Sequence, residues 1–172
     1  MTPMMRPAEW EFLRSYLKKD MIMLEYGSGH STRIYSNYVK TLYSIEHHYG
    51  WYHKIKKEVK DLDNVNCVYV PPNILMPGRM TPSKKEWFID YINWPKTISQ
   101  MFDIVMIDGR ARQWVAESIL GNITENSLVF LHDYTDYWPE NKPRIKRRRY
   151  NRILNFYDIV DAQDTLALLR KK

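Results

Sequence analysis

Four acids and one histidine stand where apolar runs of the sequence end. Glu25 closes "IMLE" and leads into "EYGSGHST", with Gly27, Gly29, Ser31 and Thr32 behind it. Glu46 closes "TLYSIE", Asp108 closes "FDIVMID", and His132 and Asp133 close "SLVFLHD". Two glycines after a buried run let the chain turn tightly and let a ligand approach the backbone. A helix starting there turns unpaired N–H groups toward an anion. The spacing is close to that of a phosphate-holding turn, but Thr32 stands where a third glycine would be, and Glu25 would repel a phosphate. An acid beside N–H groups suits a ligand that carries both an ammonium and a carboxylate, an amino acid. Glu46 lies about 20 residues beyond the turn, where an acid can accept both hydroxyls of a ribose. Val70 and Pro71 are placed to border a flat base.

These residues need a frame. Residues 7–19 read as an amphipathic helix with Trp10, Leu13 and Leu17 on one stripe. Strands are expected at 21–26, 41–46, 65–70, 102–108 and 127–133, and helices at 30–39, 50–62, 82–94 and 113–123. In the helix 50–62, Trp51, Ile55, Val59 and Leu62 mark the inner face. The segment 71–81 holds three prolines and a glycine and excludes regular structure. "YTDYWPENKP" reads as a loop leading into the charge run "RIKRRRY". "NFYDIV" and "TLALLR", separated by "DAQD", read as an antiparallel hairpin. Strands alternating with helices give a doubly wound, Rossmann-like α/β sheet of seven strands, the last hairpin adding an antiparallel edge. Sites in such sheets lie at the carboxyl ends of the strands, where the acids and the histidine stand.

Composition narrows the field without choosing a partner. The 172 residues fit one domain, 1–172, and a hydrophobic share of 44% supports a real core. A net charge of +6 suits anionic glycans, phosphorylated substrates or nucleic acid alike. Cys67 is the sole cysteine, which excludes an internal disulfide and a cysteine metal site. No apolar stretch is long enough to span a bilayer, and the first residues lack a signal-peptide pattern, so a soluble, cytoplasmic protein is expected.

With "LEYGSGHST", "SIEHHYGWY", "IDGRAR", "HDY" and the closing "FYDIV" in place, the sequence resembles the class I S-adenosylmethionine-dependent methyltransferases from Met21 to Arg170. Within that class it is similar to small sugar- or polysaccharide-modifying O-methyltransferases of the glucuronoxylan and viral glycan type. The resemblance implies that Gly27 and Gly29, with Tyr26 and Ser28 in the same turn, line the amino-acid part of the cofactor. It places Glu25 near the ammonium, Ser31 and Thr32 at the carboxylate, Glu46 at the ribose, His47 beside the adenine and Asp108 near the sulfonium. The implied reaction is methyl transfer to a carbohydrate hydroxyl of a glycan, polysaccharide or nucleotide sugar, with association with glycosyltransferases.

Such a transfer needs a base. His132 is the first choice, because a free imidazole titrates near neutrality; Asp108 and Asp133 are the others. The two acids could instead hold a divalent cation that lowers the hydroxyl pKa, against which Tyr134 follows Asp133 where metal-dependent relatives carry Asn. Arg110, Arg112, Tyr134 and Arg149 are the substrate-contact candidates for an anionic acceptor. Trp87 is offered to a sugar ring, although Trp87, Tyr91 and Trp94 at i, i+4 and i+7 also describe a core stripe. Three rivals remain: an RNA or small-molecule methyltransferase, a non-catalytic cofactor-binding domain of a larger glycan-synthesis protein, and a nicotinamide oxidoreductase, which Glu25 opposes.

Overall fold

The computed structural model describes residues 3–74, 84–137, 143–145 and 150–172. Helix α1 (Pro7–Arg14) opens the chain, followed by β1 (Ile22–Tyr26), α2 (His30–Tyr35), β2 (Thr41–Glu46), α3 (Tyr49–Glu58) and β3 (Val65–Tyr69). Then come α4 (Ile89–Asn93), β4 (Ile104–Ile107), α5 (Arg112–Ser118) and β5 (Leu128–Leu131). A short hairpin of β6 (Thr135–Tyr137) and β7 (Pro143–Ile145) precedes a long one of β8 (Tyr157–Gln163) and β9 (Leu166–Lys171). Seven strands make one sheet in the order β3-β2-β1-β4-β5-β9-β8. The first five are parallel; β9 runs antiparallel to β5, and β8 to β9. The chain winds outward from β1 to β3 and then crosses to β4, so the crevice where a ligand fits opens between the ends of β1 and β4.

The apolar runs that mark β4 and β5 are buried at every residue, as expected of parallel strands covered on both faces. Alternate side chains feed two cores. Leu24, Ile45, Val105, Ile107 and Val129 pack against Tyr91 of α4 and Val115 of α5. Met23, Leu42, Ile104, Met106 and Phe130 pack against Trp10 and Leu13 of α1 and Ile34 and Tyr35 of α2. None of the described helices is long and apolar enough to cross a membrane.

Three expected elements differ. The helix at 82–94 is broken into a turn of 3₁₀ helix (Lys85–Trp87), α4, and a second such turn (Trp94–Thr97). Phe88 leaves the helical region with φ −136° and ψ 28° to bury its ring, and Pro95 has no N–H to continue α4. "DAQD" is not the hairpin turn. Asp161, Ala162 and Gln163 remain in β8, and Gln163 pairs with Leu166 across a two-residue connection in which Asp164 has φ 52°. The expected loop after Tyr134 carries the β6–β7 hairpin. The charge run's Arg147, Arg148 and Arg149 lie outside the described residues.

The ends of β1 and β4 touch through glycines. Gly27 has φ 94°, and a Cβ there would stand 2.9 Å from Gly109 Cα. A Cβ on Gly109 would stand 2.0 Å from the Tyr91 hydroxyl. Gly109→Ala is therefore expected to lower stability by roughly 1–3 kcal/mol through overpacking. Adding Tyr91→Phe should return part of the loss in urea denaturation; equal stability of the single variant and the wild type would contradict this packing.

Candidate functional site

Glu25, the last residue but one of β1, is only 1% exposed. A buried carboxylate needs donors, and three hydroxyls supply them. Ser31 donates at 2.5 Å, and Thr32 and Ser44 at 2.6 Å each. Ser44 also bonds Ser28 at 2.7 Å, and Thr32 Oγ1 accepts the Gly29 N–H at 3.0 Å. The glycine turn, the start of α2 and the middle of β2 are thus laced to one acid. Burial nevertheless dominates the hydroxyls, with the charge of Asp108 adding to it, and pushes the Glu25 carboxyl up to about 7. Trp51 of α3 donates its indole N–H to the Ser28 carbonyl and fixes the turn from outside.

Glu46 ends β2 and is also buried. Its Oε1 accepts the backbone N–H of His47 at 2.8 Å and of His48 at 2.7 Å. Its Oε2 accepts no hydrogen bond among the described residues. The His47 ring packs edge-on against Phe88 and Tyr91, with Nδ1 3.0 Å from Glu46 Oε1.

Charges of alternating sign surround the ends of β4 and β5. Glu9 of α1 sits 3.4 Å from His132 Nε2, and His132 Nδ1 lies 2.9 Å from Asp108 Oδ1. Arg112 contacts Asp108 Oδ1 at 3.1 Å and Asp133 Oδ2 at 3.0 Å. Glu9 further accepts the Thr165 N–H and hydroxyl at 2.9 and 2.6 Å and the Arg6 N–H at 3.0 Å. Burial pulls the His132 pKa down, but its bonds to Asp108 and Glu9 and the nearby charge of Asp133 outweigh this and lift it to about 10. Burial likewise works against ionised Glu9, yet the donors around it hold its carboxyl at about 2.

A cavity of about 650 Å³ opens over this edge, within the size range of small-molecule sites. Glu25, Gly27, Gly29, Ser31, Glu46 and Asp108 are among its walls. Ser28, His47, Arg110 and Arg112 also reach it. A smaller cavity of about 240 Å³ shares Gly109, Arg110 and Arg112 with it and adds Gln113, Trp114 and Asp133. Gly29 has no backbone need for glycine, since its φ is −160°. A Cβ there would meet protein no nearer than Ser31 Oγ at 3.5 Å, so what the missing side chain keeps open is the cavity wall.

The structure places several of the expected site residues in other surroundings. His132 is held between two carboxylates as an imidazolium at neutral pH, which has no lone pair for a base. Thr32 is fully buried on Glu25, behind the wall rather than on it. Tyr26 is a core side chain whose hydroxyl bonds the Ile92 carbonyl. Tyr134 is buried and stacked on Tyr150. Trp87 packs against the core, outside both cavity walls. Trp51 fixes the turn and lines the cavity instead of marking a core stripe. Glu9, Gly109 and Trp51 are the site residues the sequence did not disclose. The sequence signal for Gly109 was its place after Asp108 in "IDGRAR"; Glu9 carried none.

No family model matches the chain, and no curated protein sequence does. Solved structures do match. A methyltransferase-like protein from Silicibacter pomeroyi superposes with a TM-score of 0.77 at 22% identity, covering 98% of this chain and 87% of that one. An rRNA methylase from Streptococcus thermophilus gives 0.63 at 12% identity, covering 98% of each chain. A Streptococcus mutans protein solved in complex with SAH gives 0.61 at 13%, covering 98% of this chain and 99% of that one. The chain has the fold of the class I S-adenosylmethionine-dependent methyltransferases.

The buried charges set a pH dependence. Glu25, raised from 4.5 to about 7, costs stability as it ionises over that range. His132, raised from 6.5 to about 10, contributes stability in full below pH 6.5 and loses it toward pH 10. Glu9, lowered from 4.5 to about 2, contributes in full above pH 4.5 and loses it toward pH 2. Stability should therefore peak in mild acid and fall toward pH 10, by up to about 1.4 kcal/mol per pH unit for each proton involved. His132→Asn should flatten the fall above pH 6.5 in thermal melts. A wild-type melting temperature that rises across that range would contradict the imidazolium assignment.

Proposed function

We propose that the larger cavity binds S-adenosylmethionine and that the chain transfers its methyl group to a hydroxyl of a carbohydrate, in a glycan, polysaccharide or nucleotide sugar. The observation that carries this is the pair of buried carboxylates, Glu25 and Glu46, flanking a glycine turn whose wall is open at Gly29. Two acids in one cavity oppose a pyrophosphate and suit a ligand with an ammonium at one end and a diol at the other. Glu25 takes the ammonium, which relieves the burial of its own charge. Glu46, its Oε1 committed to two backbone N–H groups, offers Oε2 to the ribose hydroxyls, and His47 borders the base. Ser31 Oγ, donating to Glu25, stands in the cavity wall beside it.

Bound there, the cofactor supplies a methyl carried on a positively charged sulfur. Asp108 is the residue for the acceptor's proton. Its Oδ1 is fixed by His132 and Arg112, and its Oδ2 accepts nothing among the described residues. Holding the hydroxyl in line with the methyl is a large part of what such a residue contributes. The smaller cavity adjoins Asp108 across Gly109. The side chains of Arg110 and Gln113 make no hydrogen bond among the described residues, and with Trp114 they offer a polyol both polar partners and a ring face. The RNA reading draws on the net charge of +6 and the fold likeness to an rRNA methylase.

Thermal melts with S-adenosylmethionine, S-adenosylhomocysteine and NAD test the cofactor. At about 100 times its dissociation constant a ligand adds about 2.7 kcal/mol. Stabilisation by the two sulfur ligands and none by NAD is expected; the reverse would contradict the reading. Gly29→Ala should keep the unliganded melting temperature and lose at least about tenfold in affinity, because its methyl enters the cavity. Asp108→Asn should bind the cofactor and lower turnover by roughly 10²-fold or more. An acceptor screen that forms S-adenosylhomocysteine with RNA oligonucleotides, steeply weakened by salt, and with no sugar would overturn the carbohydrate assignment.

A further inference from the structure

We propose that the Arg112 guanidinium takes the place of a divalent cation between Asp108 and Asp133, so that this end of the sheet is organised without a metal. Asp108, His132 and Asp133 each offer one ligand atom, and these atoms lie within 4.8 Å of one another. Oxygen and imidazole donors at that spacing are what a divalent ion takes. The chain fills the gap from within. Arg112 NH1 reaches Asp133 Oδ2 at 3.0 Å and also donates to the His132 carbonyl. NH2 reaches Asp108 Oδ1 and the Asp108 carbonyl, both at 3.1 Å. Nε donates to the Gly109 carbonyl at 3.0 Å.

A guanidinium has five N–H groups; here four hydrogen bonds go to protein acceptors, and NH2 also faces Asp108 Oδ1 in an ion pair. Four hydrogen bonds and the ion pair hold the group in the gap between the two acids. Its side chain is 17% exposed. His132 is committed as well, with Nδ1 on Asp108 and Nε2 facing Glu9. An entering ion would have to displace a guanidinium held by four hydrogen bonds and an ion pair, and detach His132 from Asp108. Arginine reaches this position because Ala111, with φ 54°, turns the chain so that α5 begins beside the two acids.

Arg112 does the structural work of a bridging ion. It joins the ends of β4 and β5, compensates two carboxylates and sets the angle of Asp108. It is a positioning residue, and for the proposed methyl transfer it makes the reaction independent of divalent ions. That last consequence rests on the methyltransferase reading; the occupancy of the gap does not.

The experiment is a titration of Mn²⁺ into the whole chain, read by loss of the free-ion electron paramagnetic resonance signal, with circular dichroism as the check of folding. Wild type is expected to take up no stoichiometric Mn²⁺. Arg112→Ala is expected to gain one site, at least tenfold tighter than any uptake by wild type, and Arg112→Ala/Asp133→Asn to lose it. Should the alanine variant not fold, Arg112→Met keeps the packed stem without the charge and gives the same readout. Tight binding of one Mn²⁺ by wild type, abolished by Asp133→Asn, would overturn the proposal, because a metal would then displace the guanidinium. A folded Arg112→Ala or Arg112→Met chain that gains no site would overturn it as well.

Discussion

A carboxylate shut away from water needs donors, and the donors must be held somewhere. Glu25 imposes that condition on this fold. Its hydroxyl partners come from the start of α2 and from β2, and through Ser44 the bond continues to Ser28 in the glycine turn. One acid therefore fixes the geometry of three segments that line the cavity. The hydroxyls do not fully compensate its burial, so the carboxyl stays near neutrality in its titration. An incompletely compensated buried acid is a poor contributor to stability and a good receptor for a cation, a conflict often found at functional sites.

The second constraint is a chain of alternating charge running from Glu9 through His132, Asp108 and Arg112 to Asp133. It ties α1 and the turn into β9 to the ends of β4 and β5. Each acid in it is compensated by a cation or by backbone donors, and this makes a set of partly buried charges tolerable. The two systems meet in the cavity wall, where Glu25 lies near the end of β1 and Asp108 just beyond the end of the neighbouring β4. Between them the glycine contact of Gly27 and Gly109 lets the strand ends approach, with the Tyr91 hydroxyl against the second glycine.

Much of this was legible in the sequence because strands buried on both faces read as unbroken apolar runs. β2 spans the six residues of "TLYSIE", and Glu25, Glu46, Asp108 and Asp133 all fall at carboxyl ends as read. The 82–94 helix was misread because periodicity cannot see Phe88 leaving the helical region. The hairpin turn was misplaced because Asp161 and Gln163 are polar yet lie on an exposed strand. The role of His132 was illegible for a different reason. A free imidazole titrates near neutrality, and only the fold brings Glu9, 123 positions away in sequence, against its second nitrogen. The surroundings of Arg112 were illegible for the same reason: sequence shows a guanidinium but not the four acceptors it bonds or the Asp108 carboxylate beside it.

The measurement that bears most directly on the central claim is calorimetric titration of S-adenosylhomocysteine at pH 6 in buffers of different ionisation enthalpy. Glu25 is largely protonated there and must ionise to meet an ammonium. The account predicts binding with release of close to one proton, and loss of that release together with most of the affinity in Glu25→Gln. Binding with no proton exchange, unchanged in Glu25→Gln, would contradict it.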